Sequence, residues 1–164
     1  ALPISYHLDD DQREASTGVD RAEVPIFLAE DSPTIRGVLE GLLKRGGYEQ
    51  VHAFDNGLSC YEALQRTVEQ VNAEGTPLSA SVGVLISDIE MPQMDGMTLC
   101  RRVKTDLGLK QLPVILFSSL INEQIAAKCE SVGADGYISK PRFAELMELV
   151  DRNCLARSAA GEGA

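Results

Sequence analysis

The sequence predicts an α/β fold, a doubly wound five-stranded parallel sheet with five helices on its two faces. Short apolar runs alternate five times with segments whose apolar residues recur at helical spacing. The connections between them are short, which implies right-handed crossovers between parallel strands. Hydrophobic residues make up 44% of the chain and aromatic residues only 5%, with no tryptophan. This composition indicates a core built from Val, Ile, Leu and Ala.

The first predicted strand is almost wholly apolar, as expected of a strand that is covered on both faces. The five strands cover residues 24–29, about 48–54, 82–88, 112–118 and 136–139. Pro113 fits the fourth strand only near its start, because proline cannot donate a hydrogen bond to the sheet. A polar connection is expected over residues 72–81, between the second helix and the third strand.

The predicted helices begin and end at residues that favour helix termini. Ser32 can cap the first helix, Pro33 suits its first turn, and Gly46 and Gly47 end it. Asn56 opens the second, longer helix. The other three helices are expected after Gly96, over about 122–132 and over about 142–155.

The domain is predicted to span residues 24–155. Residues 1–23 are acidic and carry few large apolar groups, so burial cannot offset the entropy of ordering them, and we expect a disordered linker or tail. Residues 156–164 are small and polar, and they are expected to form a disordered tail. Because the chain begins with Ala1 rather than Met, we expect either a processed product or an excised piece of a longer protein, and we favour the excised piece.

Charge and cysteine content argue against several classes of function. The formal net charge is -10, whereas nucleic acids and anionic membranes are bound by clustered Lys and Arg. The four cysteines form no Cys-x-x-Cys pair and have no histidine cluster beside them, which argues against a zinc site or a disulfide framework. No signal peptide and no apolar run of ~20 residues is evident. We therefore expect a cytoplasmic protein with reduced thiols and no membrane insertion.

Charged residues stand at the carboxyl ends of three predicted strands. Asp88 ends the third strand, Glu30 and Asp31 follow the first, and Lys140 follows the fifth. Open α/β sheets bind their ligands at this edge. Three acids and one base are therefore expected to converge there.

These residues suggest phosphoryl chemistry. Two unit charges ~4 Å apart repel by roughly 4 kcal/mol at an effective dielectric near 20, so Glu30, Asp31 and Asp88 require a cation. Their oxygen ligands suit Mg²⁺. A metal and the Lys140 ammonium facing one carboxylate form a receptor for a phosphoryl group, which makes Asp88 the predicted nucleophile. Ser118, at the end of the fourth strand, could donate to a phosphoryl oxygen.

The same residues resemble the receiver domain of bacterial response regulators, over about 24–155. The resemblance is carried by Glu30-Asp31, Asp88, Met91-Pro92, Met94-Asp95-Gly96, Ser118, Tyr137 and Lys140-Pro141. It implies the sheet order 2-1-3-4-5 of flavodoxin-like and CheY-like folds. It also implies a cis peptide bond before Pro141.

The resemblance implies a role for each site residue. Asp88 would be the phosphoacceptor, and Lys140 would pair with the phosphoryl group. Mg²⁺ would be bound by Asp31, Asp88 and the backbone carbonyl of Glu90, with Glu30 contributing through water.

The resemblance also implies a conformational switch. Ser118 would close on the phosphoryl group, and Tyr137 would swing inward as Ser118 moves. The chain would then be a signalling phosphoacceptor and not an enzyme, catalysing only its own phosphorylation and dephosphorylation.

A narrower resemblance is to the receiver half of the CheV family of chemotaxis coupling proteins. It is carried by residues 88–99 and 117–122 and by the long segment before the third strand. It implies a CheA-like histidine kinase as phosphodonor. It also implies a CheW-like coupling domain outside this sequence, through which the protein would reach chemoreceptors, with residues 1–23 as the linker.

Other interpretations remain open. The chain could be a response regulator receiver outside chemotaxis, or a docking module that is not phosphorylated, although the complete set of site residues argues against the latter. A phosphatase of the haloacid dehalogenase type normally has a second Asp two residues after the nucleophile, where this chain has Glu90. A Rossmann-type nucleotide binder needs a glycine-rich loop after the first strand, which is missing.

Overall fold

The computed structural model describes residues 20–163 and the side chains of residues 20–154. Within that part of the chain, five parallel strands form one sheet in the order β2-β1-β3-β4-β5. The strands are β1 (Pro25–Ala29), β2 (Gln50–Phe54), β3 (Val84–Asp88), β4 (Val114–Ser118) and β5 (Gly136–Ser139). The predicted fold class and strand order are confirmed.

Five α-helices connect or follow the strands over the same residues. They are α1 (Pro33–Arg45), α2 (Gly57–Glu74), α3 (Gly96–Thr105), α4 (Glu123–Ser131) and α5 (Phe143–Gly163). Two short 3₁₀ turns, Arg21–Glu23 and Leu78–Ala80, precede β1 and β3. None of the helices in the described residues is both long enough and hydrophobic enough to cross a bilayer.

Side chains cap the first four helices, which explains where the helices begin. Each capping oxygen accepts a hydrogen bond from the backbone N–H three residues later, which satisfies one of the unpaired donors of the first turn. The capping residues are Ser32, Asn56, Asp95 and Asn122. The predicted roles of Ser32, Pro33 and Gly46 at the ends of α1 are confirmed.

The sheet separates the core into two layers. One layer packs α1 and α5 against the sheet, with Leu39, Leu43, Leu146, Val150 and Cys154 as its buried helical residues. The other layer packs α2, α3 and α4 against the opposite face. Because both faces are covered, β1, β3 and β4 are buried along their whole length. The four cysteines are buried, and none of them forms a disulfide within the part of the chain that the structure describes.

Several predicted boundaries are wrong. Strands β2, β3 and β4 begin two residues later than predicted, because Tyr48, Val82 and Leu112 are buried but donate their backbone N–H groups to turns. Helix α2 continues to Glu74, into the segment predicted as a connection, and α5 continues to Gly163, through the segment predicted as a tail.

The last residues of the predicted linker also contact the domain. Arg21 forms an ion pair with Asp151 of α5 at 3.0 Å, and Tyr48 donates its hydroxyl to the same carboxylate at 2.5 Å. Burial, Cys154 and this hydrogen bond raise the pKa of Tyr48. The segment 20–23 is therefore attached to the domain, whereas residues 1–19 and residue 164, also assigned to disordered ends, lie outside the described residues.

Candidate functional site

Strand register brings the predicted site residues to one edge of the sheet. Ala29 of β1 lies opposite Ser87 of β3, so the residues that follow them, Glu30 and Asp88, are neighbours. Asp88 lies opposite Phe117 of β4, so Ser118 projects one step beyond it. Because neighbouring parallel strands end at the same edge of the sheet, Glu30 and Asp88 lie close together there, although they are 58 residues apart in sequence.

The loop after β1 fixes Glu30 by several hydrogen bonds. Its side chain is fully buried, and its Oε2 accepts the backbone N–H of Ser32 at 2.9 Å. Arg36 of α1 donates to the backbone carbonyl of Glu30 at 2.9 Å. The next residue, Asp31, is exposed. The pair therefore offers one buried and one solvent-facing carboxylate.

The loop after β3 needs glycine at its end because its backbone returns against Asp88. The Gly96 N–H donates to the Ile89 carbonyl at 2.8 Å, and a Cβ at Gly96 would lie 2.2 Å from the backbone oxygen of Asp88. A Cβ at Gly57 would lie 2.0 Å from the backbone oxygen of Met94 in the same loop. Both distances are much shorter than a van der Waals contact, so a side chain at either position would clash with the backbone. The two glycines therefore allow this loop to pack against the end of β3.

Lys140 reaches the acidic residues from the far side of β4. Its Nζ lies 2.9 Å from Glu30 Oε1 and 3.2 Å from Asp88 Oδ2. The ammonium lies over the Phe117 ring, 5.1 Å from the ring centroid, and the face of an aromatic ring attracts a cation. The peptide bond between Lys140 and Pro141 is cis, as the resemblance implied.

Without a further cation, the site carries more negative than positive charge. Burial and the Glu30 charge raise the pKa of Asp88 to about 6, although Lys140 partly opposes this. Burial lowers the pKa of Lys140, but its hydrogen bond to Glu30 and the charges of Asp88 and Glu30 outweigh burial and leave that pKa above its usual value. Three carboxylates and one ammonium thus leave an excess of negative charge in the site, which a bound divalent cation would neutralise.

The carboxylates fit a Mg²⁺ ion. One oxygen each from Glu30, Asp31 and Asp88 lies within 4.8 Å of the other two. Ligands on opposite sides of Mg²⁺ are ~4.2 Å apart, because each Mg–O distance is ~2.1 Å, so little movement is needed. Asp31 is exposed, which leaves room for the waters that Mg²⁺ retains. The donor set, its spacing and its excess negative charge all suit this ion.

Ser118 faces the site but already has a partner. Its buried Oγ donates to Glu90 Oε1 at 2.7 Å and accepts the Leu120 N–H at 3.2 Å. The Glu90 backbone N–H in turn donates to Asp88 Oδ1 at 3.3 Å. The resemblance assigned the backbone carbonyl of Glu90 to Mg²⁺, and the contact of its side chain with Ser118 was missed.

Tyr137 is not in the inward position. Its hydroxyl donates to Glu130 Oε1 of α4 at 3.2 Å, and the ring is only partly buried. The hydrogen bond and the charge of Glu130 raise the pKa of Tyr137. The structure therefore brings together Glu30, Asp31, Asp88 and Lys140, with Ser118 beside them and Tyr137 held away.

Two further residues that support the site were missed in the sequence. Arg36 is a polar residue of α1. The apolar spacing that predicts this helix does not indicate that the Arg36 side chain donates to the Glu30 carbonyl. Asn56 was predicted to open α2, but the requirement for glycine at position 57, where the Met94 backbone approaches, was missed. The glycine after Asn56 was the available signal.

Comparison with known sequences gives a consistent result. The family model described as the response regulator receiver domain matches residues 26–151. The chain is 32% identical over 127 residues to the two-component response regulator ORR5 of Oryza sativa subsp. japonica, which covers 77% of this chain and 85% of that protein. It is 28% identical over 116 residues to the chemotaxis protein CheY1 of Helicobacter pylori strain ATCC 700392 / 26695, which covers 71% of this chain and 84% of that protein.

Solved structures share the fold. The signal receiver domain of a signal transduction histidine kinase from Syntrophus aciditrophicus is 32% identical with a TM-score of 0.62, and the match covers 80% of this chain and 89% of that one. The receiver domain of the histidine kinase CKI1 from Arabidopsis thaliana, complexed with Mg²⁺, is 22% identical with a TM-score of 0.67, over 76% of this chain and 90% of that one. At that identity the second match shows the fold alone.

Proposed function

Because this chain belongs to the response regulator receiver family, a component of two-component signalling, we propose that it takes a phosphoryl group from a histidine kinase onto Asp88. The observation that carries the proposal is the contact of one ammonium with two carboxylates at the strand ends. Lys140 lies within 3.2 Å of Asp88 and 2.9 Å of Glu30, although it comes from a strand two positions away in the sheet.

The proposed reaction is a direct transfer. An Asp88 carboxylate oxygen attacks the phosphorus of a phosphohistidine, and the new O–P bond forms as the P–N bond breaks. The electron pair of the broken bond leaves on the imidazole nitrogen, which takes a proton from solvent. Lys140 pairs with the oxygens of the transferred group and stabilises the charge that they carry in the transition state.

Mg²⁺ is the proposed cofactor. Asp31, Asp88 and the backbone carbonyl of Glu90 would bind it directly, and Glu30 would contribute through water. The bound ion would supply positive charge to the phosphoryl oxygens. The excess of carboxylates and the spacing of their oxygens support this assignment.

The proposed consequence is a switch between two arrangements. Phosphorylation replaces the single negative charge of the Asp88 carboxylate with up to two on the phosphoryl group, and it places three acceptor oxygens beside Ser118. The phosphoryl group can shift the equilibrium between the two arrangements only by the difference between its interaction free energies with them. Ser118 would turn toward the phosphoryl group, and Tyr137 would leave Glu130 and move inward. The outward hydrogen bond of Tyr137 gives the unphosphorylated arrangement a defined starting contact.

The finer proposal is a role in chemotaxis. The narrower resemblance to CheV proteins supports a CheA-like kinase as phosphodonor and a CheW-like domain that connects the receiver to chemoreceptors. The similarity to CheY1 is consistent with this. The proposed location is the cytoplasm, in line with four cysteines that form no disulfide among the described residues.

Phosphorylation by a small donor tests the proposal without any partner. The protein is incubated with acetyl phosphate and Mg²⁺, and its intact mass is measured. We expect one added phosphate, which a chelator prevents and which Asp88→Asn abolishes. Glu62→Gln, a charge-matched control at an exposed position on α2, should be phosphorylated like wild type. Phosphate uptake by Asp88→Asn would contradict the proposal.

A further inference from the structure

The hydroxyl of Ser118 is already committed in the unphosphorylated protein. The Ser118 side chain is buried, and Oγ donates its proton to Glu90 Oε1 at 2.7 Å while accepting the Leu120 N–H at 3.2 Å. A serine hydroxyl has one proton to donate. Ser118 therefore cannot donate to a phosphoryl group and to Glu90 at the same time.

Glu90 connects the ends of two strands. Its backbone N–H donates to Asp88 Oδ1 at the end of β3, and its side chain reaches Ser118 at the end of β4. Glu90 is otherwise exposed, so its carboxylate can return to water when it releases the hydroxyl. Release thus exchanges one hydrogen bond for hydration and leaves no buried charge without a partner.

We propose that the Glu90 side chain is a positioning residue that acts through Ser118, as a latch on the unphosphorylated arrangement. The term latch here means the hydrogen bond between Ser118 Oγ and Glu90 Oε1. This inference rests on the proposed function, since it concerns how readily Asp88 gains a phosphoryl group and switches. The latch holds the hydroxyl donor away from the site until a stronger acceptor displaces the Glu90 carboxylate.

The competition between the two acceptors favours the phosphoryl group. A phosphoryl group carries more charge than a carboxylate and presents three oxygens, so it forms the stronger charge-assisted hydrogen bond. The latch reduces this advantage by the free energy of the bond that must be broken. Removing Glu90 should therefore ease both phosphorylation and switching, and only through Ser118.

A double-mutant cycle separates the latch from simple charge repulsion. Phosphorylation by acetyl phosphate with Mg²⁺ is followed by intact mass for wild type, Glu90→Ala, Ser118→Ala and the double variant. Because a hydrogen bond to an exposed charged group has a modest net effect, Glu90→Ala should be about five-fold faster than wild type. In the Ser118→Ala background the same substitution should change the rate by less than about two-fold.

Controls address charge and fold. Glu62→Ala removes the same charge from an exposed position on α2 and should leave the rate unchanged. Glu90→Gln keeps an acceptor oxygen and should give a smaller acceleration than Glu90→Ala. The acceleration should persist at high salt, because screening weakens long-range repulsion of the anionic donor more than a short contact.

The same cycle is measured without phosphate by urea unfolding. Unfolding free energies that are non-additive for Glu90 and Ser118 are expected, and additive values would overturn the latch. Equal acceleration by Glu90→Ala in both backgrounds would also overturn it, because charge alone would then explain the effect. If wild type takes up no phosphate, the proposed function fails, and the unfolding cycle still decides whether Glu90 and Ser118 are coupled.

Discussion

Replacing Asp88 with asparagine should stabilise the metal-free protein at neutral pH. Burial and the Glu30 charge raise the pKa of Asp88 from 3.8 to about 6, so its ionised form is disfavoured in the fold. Each pKa unit corresponds to ~1.4 kcal/mol, which puts the cost of the ionised carboxylate at about 3 kcal/mol above pH 6. Asparagine keeps the shape and removes the charge, so Asp88→Asn should recover up to about 3 kcal/mol.

The pH dependence follows from the direction of the shift. Between about pH 4 and pH 6 the folded protein binds a proton at Asp88 more strongly than the unfolded chain does. The stability contribution of Asp88 is therefore greatest at low pH and is lost as the pH rises through about 6. Asp88→Asn lacks this loss, so the difference between the two unfolding free energies should be smallest near pH 4.5, grow as the pH rises through about 6 and level off above it.

Urea unfolding followed by circular dichroism measures this difference, because the chain has no tryptophan for fluorescence. The measurements are made in a chelator from pH 4.5 to pH 7.5, with Glu62→Gln as the charge-matched control. Adding Mg²⁺ should then stabilise wild type, since a ligand of the folded state raises its stability, and should leave Asp88→Asn nearly unchanged. A variant that is less stable than wild type in chelator at pH 7.5 would refute the electrostatic reasoning.

Three further predictions concern the loop after β3, a buried lysine at the opposite edge of the sheet, and Tyr137. Gly96→Ala should largely abolish phosphorylation by acetyl phosphate, because its Cβ would lie 2.2 Å from a backbone oxygen of the phosphoacceptor, and normal uptake would show that the loop has room to adjust. Lys104→Met should lower the unfolding free energy by about 2–4 kcal/mol, because the Lys104 ammonium donates to two backbone carbonyls and to Asp135 at 2.6–3.1 Å. The control, Lys128→Met at an exposed position, should change the unfolding free energy little. Glu130→Ala should release the Tyr137 hydroxyl, and NMR of labelled tyrosine should then move toward the phosphorylated spectrum; an unchanged spectrum would mean that this bond does not hold the outward position.

The sequence could predict which residues meet because strand ends are marked by composition. The apolar run before Asp88 stops at a carboxylate, and the short apolar run before Glu30 does the same. In a parallel sheet with short connections, the carboxyl ends of the strands lie at the same edge of the sheet. The register of β1 with β3 agrees with this, because Ala29 pairs with Ser87 and the next residues, Glu30 and Asp88, are neighbours. Both the fold and the meeting of acids with Lys140 thus follow from local pattern and topology.

The contacts that the sequence could not predict depend on side-chain conformation or on tertiary approach. The bond of Ser118 to Glu90 depends on how one exposed side chain turns, and apolar periodicity carries no such information. The tight approach of Met94 to Gly57 joins the loop after β3 to the start of α2, which is distant in sequence. The starts of β2, β3 and β4 were missed because Tyr48, Val82 and Leu112 are apolar and buried as strand residues are, whereas their N–H groups close turns.

Locating the phosphoryl group decides whether Asp88 is the phosphoacceptor. After reaction with acetyl phosphate and Mg²⁺, borohydride reduces an aspartyl phosphate to homoserine, and peptide sequencing by mass spectrometry identifies the position. We expect homoserine at Asp88 and at no other aspartate, in a yield that a chelator reduces to background. Homoserine at Asp31 or Asp55, or phosphate that resists reduction on a serine, would contradict it.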